Sequence, residues 1–271
     1  MLIAAIQTRA RTWRMMSCRL AIAVFIACAE IHRVSAEPIP VLGKQGAMCG
    51  FAVLKSSDGR TIAAGDMVET VDGNKVRSRM IIRFRDGSID DETSVFSQGA
   101  VFQLLTDHHV QKGPSFPEPL DLSINVPHKT VRWRQAKNGK GKVETEQMDL
   151  PEDLANGMTS LIVENFPKDH TEMKVSYLAG TSKPRVVTLS VKPDGEDSFR
   201  VAGVSRRSKK FRIHIELGGV TGVIAPFVGK QPSDIEIWAS EGPVPIFLKM
   251  VGALYANGPI WTMQITAPVW P

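Results

Sequence analysis

Beyond residue 50 the chain alternates, apolar then polar, in short runs that each end at a turn signal. Only a β-strand has a side-chain period of two. Residues 76–85 are the cleanest run. Val76, Ser78, Met80, Ile82 and Phe84 share one face; Arg77, Arg79, Ile81, Arg83 and Arg85 share the other. Asp86-Gly87 then reads as a hairpin turn. Further strands are expected at 51–54, 93–96, 101–106, 120–126, 130–134, 143–148, 172–178, 185–191, 199–204, 211–217, 235–238, 244–251 and 259–265. Pro193-Asp194-Gly195, Ser205-Arg206-Arg207-Ser208, Glu241-Gly242-Pro243 and Ala256-Asn257-Gly258 fall between them as turns. Roughly a dozen short strands at this spacing predict an all-β, mainly antiparallel fold. A strongly curved sheet or half-barrel is the simplest form, because curling removes exposed edges.

Two segments break the period. In residues 151–164, Leu154, Met158, Leu161 and Ile162 recur at helical spacing. Asp149 is placed to cap such a helix, Pro151 fits its first turn, Glu152 and Asp153 suit its positive end, and Pro167 stops it. In residues 219–229, Val220, Val223, Ile224, Phe227 and Val228 form a second stripe, which Pro226 interrupts. A covering helix near 151–164 and a short helical lid near 219–229 are therefore expected over the sheet.

The first 36 residues read as a cleavable secretory signal. Arg11, Arg14 and Arg19 precede an apolar core at 20–29, too short to span a bilayer, and Val34-Ser35-Ala36 is a small-residue cleavage site. The long charged stretch before that core leaves Met15 or Met16 as alternative starts. A buried N-terminal helix is the competing reading of this leader. Phe25-Ile26-Ala27-Cys28 loosely matches a lipid-attachment motif, but Phe25 is a poor first residue, so export to the periplasm ranks ahead of an anchor at Cys28. The leader carries five arginines against Glu30 alone, so the formal charge of +5 drops to +1 without it. Overall basicity is thus no evidence for nucleic acid. Residues 37–65 are expected as a loose lead-in with the first strand, and residues 66–271 as a single domain with no transmembrane span. Cys49 is the one cysteine outside the leader and reads as a small buried hydrophobe.

Catalytic signatures are missing: there is no His-Glu-x-x-His, Gly-x-Ser-x-Gly, dinucleotide fingerprint or phosphate loop. No catalytic residue, metal or cofactor is expected. Asp107-His108-His109 is the tightest cluster of potential ligands and reads as a solvated turn rather than a metal site. Arg77, Arg79, Arg83 and Arg85 form a stripe that suits an anionic surface, with an ordinary solvent face as the competing reading. Arg206, Arg207, Lys209 and Lys210 read as a solvated turn.

A resemblance rests on Arg85-Asp86-Gly87-Ser88, on His109 through Gly113-Pro114-Ser115-Phe116-Pro117, on Gly229-Lys230-Gln231-Pro232 to Trp238, and on Gly258-Pro259-Ile260-Trp261. With these the chain resembles uncharacterised bacterial exported proteins built as open β-barrels. At fold level it is similar to the periplasmic lipoprotein carriers, in which helices close a curved sheet over an apolar cavity. The resemblance suggests fold and carries over no functional residue. Export, a curved sheet and two apolar segments across it lead to the expectation of a non-enzymatic protein that binds or carries a hydrophobic, lipid-like molecule in the cell envelope. Its apolar site would comprise Met80, Phe84, Leu154, Met158, Leu161, Val223, Ile224 and Phe227. The alternative is a structural or interaction module of the envelope, in which the same residues plug a solid barrel and an envelope protein is the partner.

Overall fold

The computed structural model of the protein describes residues 36–137, 140–181, 183–201, 204–217 and 231–266. Among them run β1 (Met48–Lys55), β2 (Thr61–Asp72), β3 (Lys75–Phe84), β4 (Ile89–Gln98), β5 (Phe102–Lys112), β6 (Leu120–Asn125), β7 (Thr130–Lys137), β8 (Lys140–Gln147), α1 (Thr159–Glu164), β9 (Met173–Ala179), β10 (Arg185–Val201), β11 (Val204–Glu216), β12 (Ile235–Ser240), β13 (Phe247–Gly252) and β14 (Trp261–Thr266). All fourteen strands belong to one antiparallel sheet, in the order β8-β7-β6-β5-β4-β3-β2-β1-β14-β13-β12-β11-β10-β9. Two meanders meet where β1 pairs with β14, Phe51 opposite Thr266 and Lys55 opposite Thr262. The fold is all-β, as the alternation predicts. Residues 1–35 of the leader and the lid expected at 219–229, with Val223, Ile224 and Phe227, lie outside the described residues.

One contact shows how far the sheet curls. β4 and β9 are nine strand positions apart, roughly 43 Å in a flat sheet. Yet the segment before α1 spans the gap between them. Leu154 bridges Ser176 of β9, and three residues on, Ser94 of β4 donates to the Gly157 carbonyl at 3.3 Å. The sheet therefore rolls up, with this segment inside. Residues 37–45 tie the same seam from another side. The Glu37 amide donates to the Lys174 carbonyl and the Phe102 amide to the Ile39 carbonyl, at 2.9 and 2.8 Å. Asn165 Oδ1 accepts the amides of Leu42 and Gly43, at 3.0 and 2.9 Å. The lead-in expected to be loose is a strap, and its own Ile39 is buried.

The helix expected over 151–164 shrinks to its last six residues, Thr159–Glu164. The cause is the neighbouring strand edge. β9 ends the sheet, and its outward backbone groups are buried, so they need partners. Asp153 Oδ2 accepts the Ser176 amide at 2.8 Å. Asn156 accepts the Leu178 amide at 2.8 Å and donates to its carbonyl at 3.0 Å. The Ala155 amide donates to the Ser176 carbonyl at 2.9 Å. A helix would withdraw all four contacts. Asp149, the expected cap, pairs with Lys129 at 2.7 Å instead. Gly157 then turns the chain at φ +65°; a Cβ there would meet the Ser94 Cβ at 2.7 Å, so only glycine fits.

Three other expectations change. β2 carries no clear alternation, because Ala63 and Gly65 face inward where larger residues usually mark a strand. A Cβ on Gly65 would run into the Ile81 carbonyl of β3, so the close approach demands the residue that hides the pattern. Second, the turns expected at 193–195 and 205–208 are strand. A register shift at Pro193/Glu196, with Gly195 at φ +107°, carries β10 through as a bulge. β10 and β11 then pair with each other as far as Val201 and Val204. β9 pairs β10 only to Val191, and β12 pairs β11 only from Ser208. Residues beyond those points form a two-stranded arm with solvent on both faces, and Arg206 and Arg207 lie along it. Third, Cys49 is exposed, because Ala52 and Leu54 take the inward positions of β1.

Asn156→Ala strips two buried β9 backbone groups of their partners. It is expected to destabilise the fold by about 2–4 kcal/mol, read as a lower urea midpoint with unchanged slope; a midpoint like that of the wild type would show that the edge is not closed this way.

Candidate functional site

The inner surface holds five of the eight residues expected to line an apolar site. Phe84, Leu154, Met158 and Leu161 are buried in one cluster, with Met80 half-buried against it. Leu161, Ile162 and Val163 of α1 join the same cluster. Leu154 and Met158 are each 1% exposed and Leu161 is 2% exposed. Val175, Leu189 and Ile213 of the sheet belong to the same core cluster. At one end Phe84 meets Phe116 and Trp261, with ring centroids 5.3 and 5.4 Å apart.

A second interior feature was not legible as a site: a polar ladder on the inner faces of β4 and β5. Register sets Asp90 opposite Gln111, Glu92 opposite His109, and Ser94 opposite Asp107. The segment expected as a solvated turn, Asp107-His108-His109, is therefore mid-strand. Alternation sends His108 outward to Asp121, 3.1 Å away, and turns Asp107 and His109 inward. His109 Nε2 lies 2.7 Å from Asp90 Oδ1, and its Nδ1 lies 3.8 Å from Glu92 Oε1. Gln111 donates to the Leu254 carbonyl at 2.9 Å. Both carboxyl oxygens of Asp107 are buried with no protein hydrogen-bond partner.

The electrostatics follow from this crowding. Burial pulls the His109 pKa down, but the Glu92 charge, the bond to Asp90 and the charges of Asp90 and Asp107 outweigh it and raise it to about 10. Burial, then the Glu92 charge, pushes Asp107 well above the usual carboxylate range, with His109 opposing. Burial raises Glu92 as well, against the pull of His109. Tyr177 of β9 faces the same groups and is raised by burial and by the charges of Glu92, Asp107 and Asp90. At neutral pH the ladder thus holds a charged imidazolium among acids pushed towards their neutral forms. A protonated imidazole cannot accept a proton, so the histidine is poorly suited to general-base work. Among the described residues no three His, Cys, Asp or Glu side chains converge as a metal site. The signal for the ladder was the run Asp90, Glu92, Ser94 with Asp107, His109, Gln111. Both faces of these strands carry polar residues, so period alone could not tell inside from outside.

A second pair of acids, Glu69 buried and Glu164 half-buried, lies where the strap meets α1. Glu164 accepts the Phe247 amide at 2.8 Å and the Gln45 side chain at 3.3 Å. Burial raises its pKa to about 7, the Phe247 bond opposes this, and the charge of Glu69 adds to it. Burial raises Glu69 too, against a hydrogen bond from Ser78.

Two of the four arginines of the stripe are internally paired. Arg79 makes two bonds to Asp91, at 2.9 and 2.7 Å, and Arg83 reaches Asp66 at 3.0 Å. Such exposed pairs contribute little to stability, but they take up the charge of Arg79 and Arg83.

No protein-family model matches the chain, and no curated protein matches it. Among solved structures, the fold is similar to a beta-barrel-like protein of the domain of unknown function DUF1849 from Brucella abortus, with a TM-score of 0.43 and 10% identity over 88% of this chain and 100% of that one. At that distance nothing about ligand or activity passes from one chain to the other.

The Glu164 carboxyl makes stability pH-dependent. Below pH 4.5, its ordinary pKa, it is neutral in both folded and unfolded chains. As the pH rises, the unfolded chain ionises first and stability falls, until the loss is complete above about 7, at about 3 kcal/mol. Glu164→Gln is expected to remove this part of the slope, so that its urea midpoint exceeds the wild type's at pH 8 by more than at pH 4.5. Parallel pH profiles for the two proteins would contradict the assignment.

Proposed function

We propose that the protein is an exported, non-enzymatic interaction module of the cell envelope, built on a barrel filled by its own chain. The observation that carries this reading is the burial of Leu154, Met158 and Leu161. They occupy the space a hydrophobic ligand would need and make the contacts that such a ligand would make. Small closed sheets are commonly filled in this way. A carrier of the lipoprotein-carrier kind would need residues 148–166 to leave the interior, which means breaking the four bonds to the β9 edge. Carriage of a lipid-like molecule therefore ranks second.

Export is supported by the charged leader, its short apolar core and the small residues before Glu37. Among the described residues no helix is long and apolar enough to cross a membrane. A non-enzymatic role is supported by the low exposure of His109 and of the acids around it, which keeps them from a substrate in solvent. Contact with a partner is supported by the β10–β11 arm. A two-stranded ribbon with both faces in water is marginally stable alone, and here it presents Val204, 53% exposed, with Arg206 and Arg207.

Two experiments separate the readings. Protein isolated from the native envelope and extracted for mass spectrometry is expected to release no stoichiometric lipid; one bound lipid per chain would overturn the filled barrel. A photo-crosslinking residue at Val204 is expected to give one discrete adduct with an envelope protein in cells, and its absence would remove the arm as a contact element.

A further inference from the structure

The outer face of β3 to β7 carries a cleft of about 510 Å³, the size of a small-molecule site. Cross-strand register builds its floor in two rows. Arg77, Val95, Thr106, Asn125 and Thr130 stand opposite one another in the first. Thr93, His108, Ser123 and Arg132 follow in the second. The acids fall in a third row, where each is engaged: Asp91 by Arg79, and Asp121 by His108 and Arg134. Asp107 borders the floor, but its carboxyl oxygens are turned inside and buried. The cleft thus displays hydroxyls, one side-chain amide, the His108 imidazole and two exposed guanidinium groups. Neither Arg77 nor Arg132 has an ion pair among the described residues.

This lining selects a chemistry. The one aromatic ring in it is the His108 imidazole, which Asp121 holds at 3.1 Å, so the cleft offers little stacking surface for a nucleobase. Val95 and Ile124 are its apolar residues, too few for an acyl chain. Guanidinium groups bind phosphate and carboxylate through paired N–H donors. Arg77 and Arg132 stand four strand positions apart, about 19 Å between backbones in a flat sheet, so one small anion does not engage both. We propose that the cleft binds a polyhydroxylated ligand with an anionic group at each end, such as a short uronic acid oligomer or a sugar bisphosphate. Arg77 and Arg132 hold the two ends, and Thr106, Ser123 and Asn125 meet the hydroxyls between. This deepens the reading of the protein as one that works through its outer surface and rests on that reading.

The test is titration calorimetry of the full chain, after leader removal, with trigalacturonate, fructose 1,6-bisphosphate and neutral maltotriose. Binding of at least one of the anionic probes is expected, weakening as salt is added, with none for maltotriose. Arg77→Gln and Arg132→Gln are each expected to weaken it by about tenfold or more, with unchanged circular dichroism and urea midpoints because both side chains are exposed. Which anionic probe binds more tightly tells phosphate from carboxylate. Binding that neither variant weakens overturns the proposal, as does equal binding of maltotriose. A wild-type protein that binds neither anion also overturns it, yet leaves the filled barrel standing, since that is judged by lipid extraction.

Discussion

Closure of the β9 edge is the constraint on which the rest of this structure depends. A sheet of fourteen strands that ends inside its own roll buries a row of backbone donors and acceptors, and each one left unpaired costs about 1–3 kcal/mol. Asp153 and Asn156 meet those groups with side chains, and Ala155 meets one with its own backbone. Once they do, the chain on either side has nowhere to go but the interior. Leu154 and Met158 are carried in with it, Gly157 is pressed against Ser94, and α1 starts only where the edge contacts stop. Edge protection, core filling and the short helix are one event.

The polar ladder belongs to the same interior and bears on what the protein does. Burying Asp90, Glu92, Asp107 and His109 together is expensive unless charges pair or protons stay on. Here both happen: the imidazolium is held by Asp90 and Glu92, while Asp107 is pushed towards its neutral form. The outcome is a polar seam in which His109 is paired and the buried Asp107 carboxyl has no protein hydrogen-bond partner. The outer face and the projecting arm remain in contact with solvent.

Much of the sheet was legible because its strands obey local rules. The run from Val76 to Phe84 alternates cleanly, and its inward residues are the buried ones. What sequence hid was set by partners distant in the chain. The helical spacing of Leu154, Met158 and Leu161 is real, but Ser176 and Leu178 of a later strand claim the backbone before a helix can. Gly65 blurs β2 because the Ile81 carbonyl leaves no room for a side chain. His108 and His109 look alike in sequence, and only strand pairing sends one out and one in. Of the residues expected at an apolar site, Phe84, Leu154, Met158 and Leu161 lie in the core cluster, with Met80 packed against it. Whether they were wall or filling depended on the packing between them.

The difference between a plug and a lid is whether residues 148–166 leave while the sheet stays folded. Native-state hydrogen exchange at the Ser176 and Leu178 amides measures this directly, because those two protons are held by Asp153 and Asn156. A permanent filling predicts that both exchange only through global unfolding, with the same free energy and denaturant dependence as amides in the centre of the sheet. Exchange at a much lower free energy, with little denaturant dependence, would show that the segment opens locally, and would make the barrel a container.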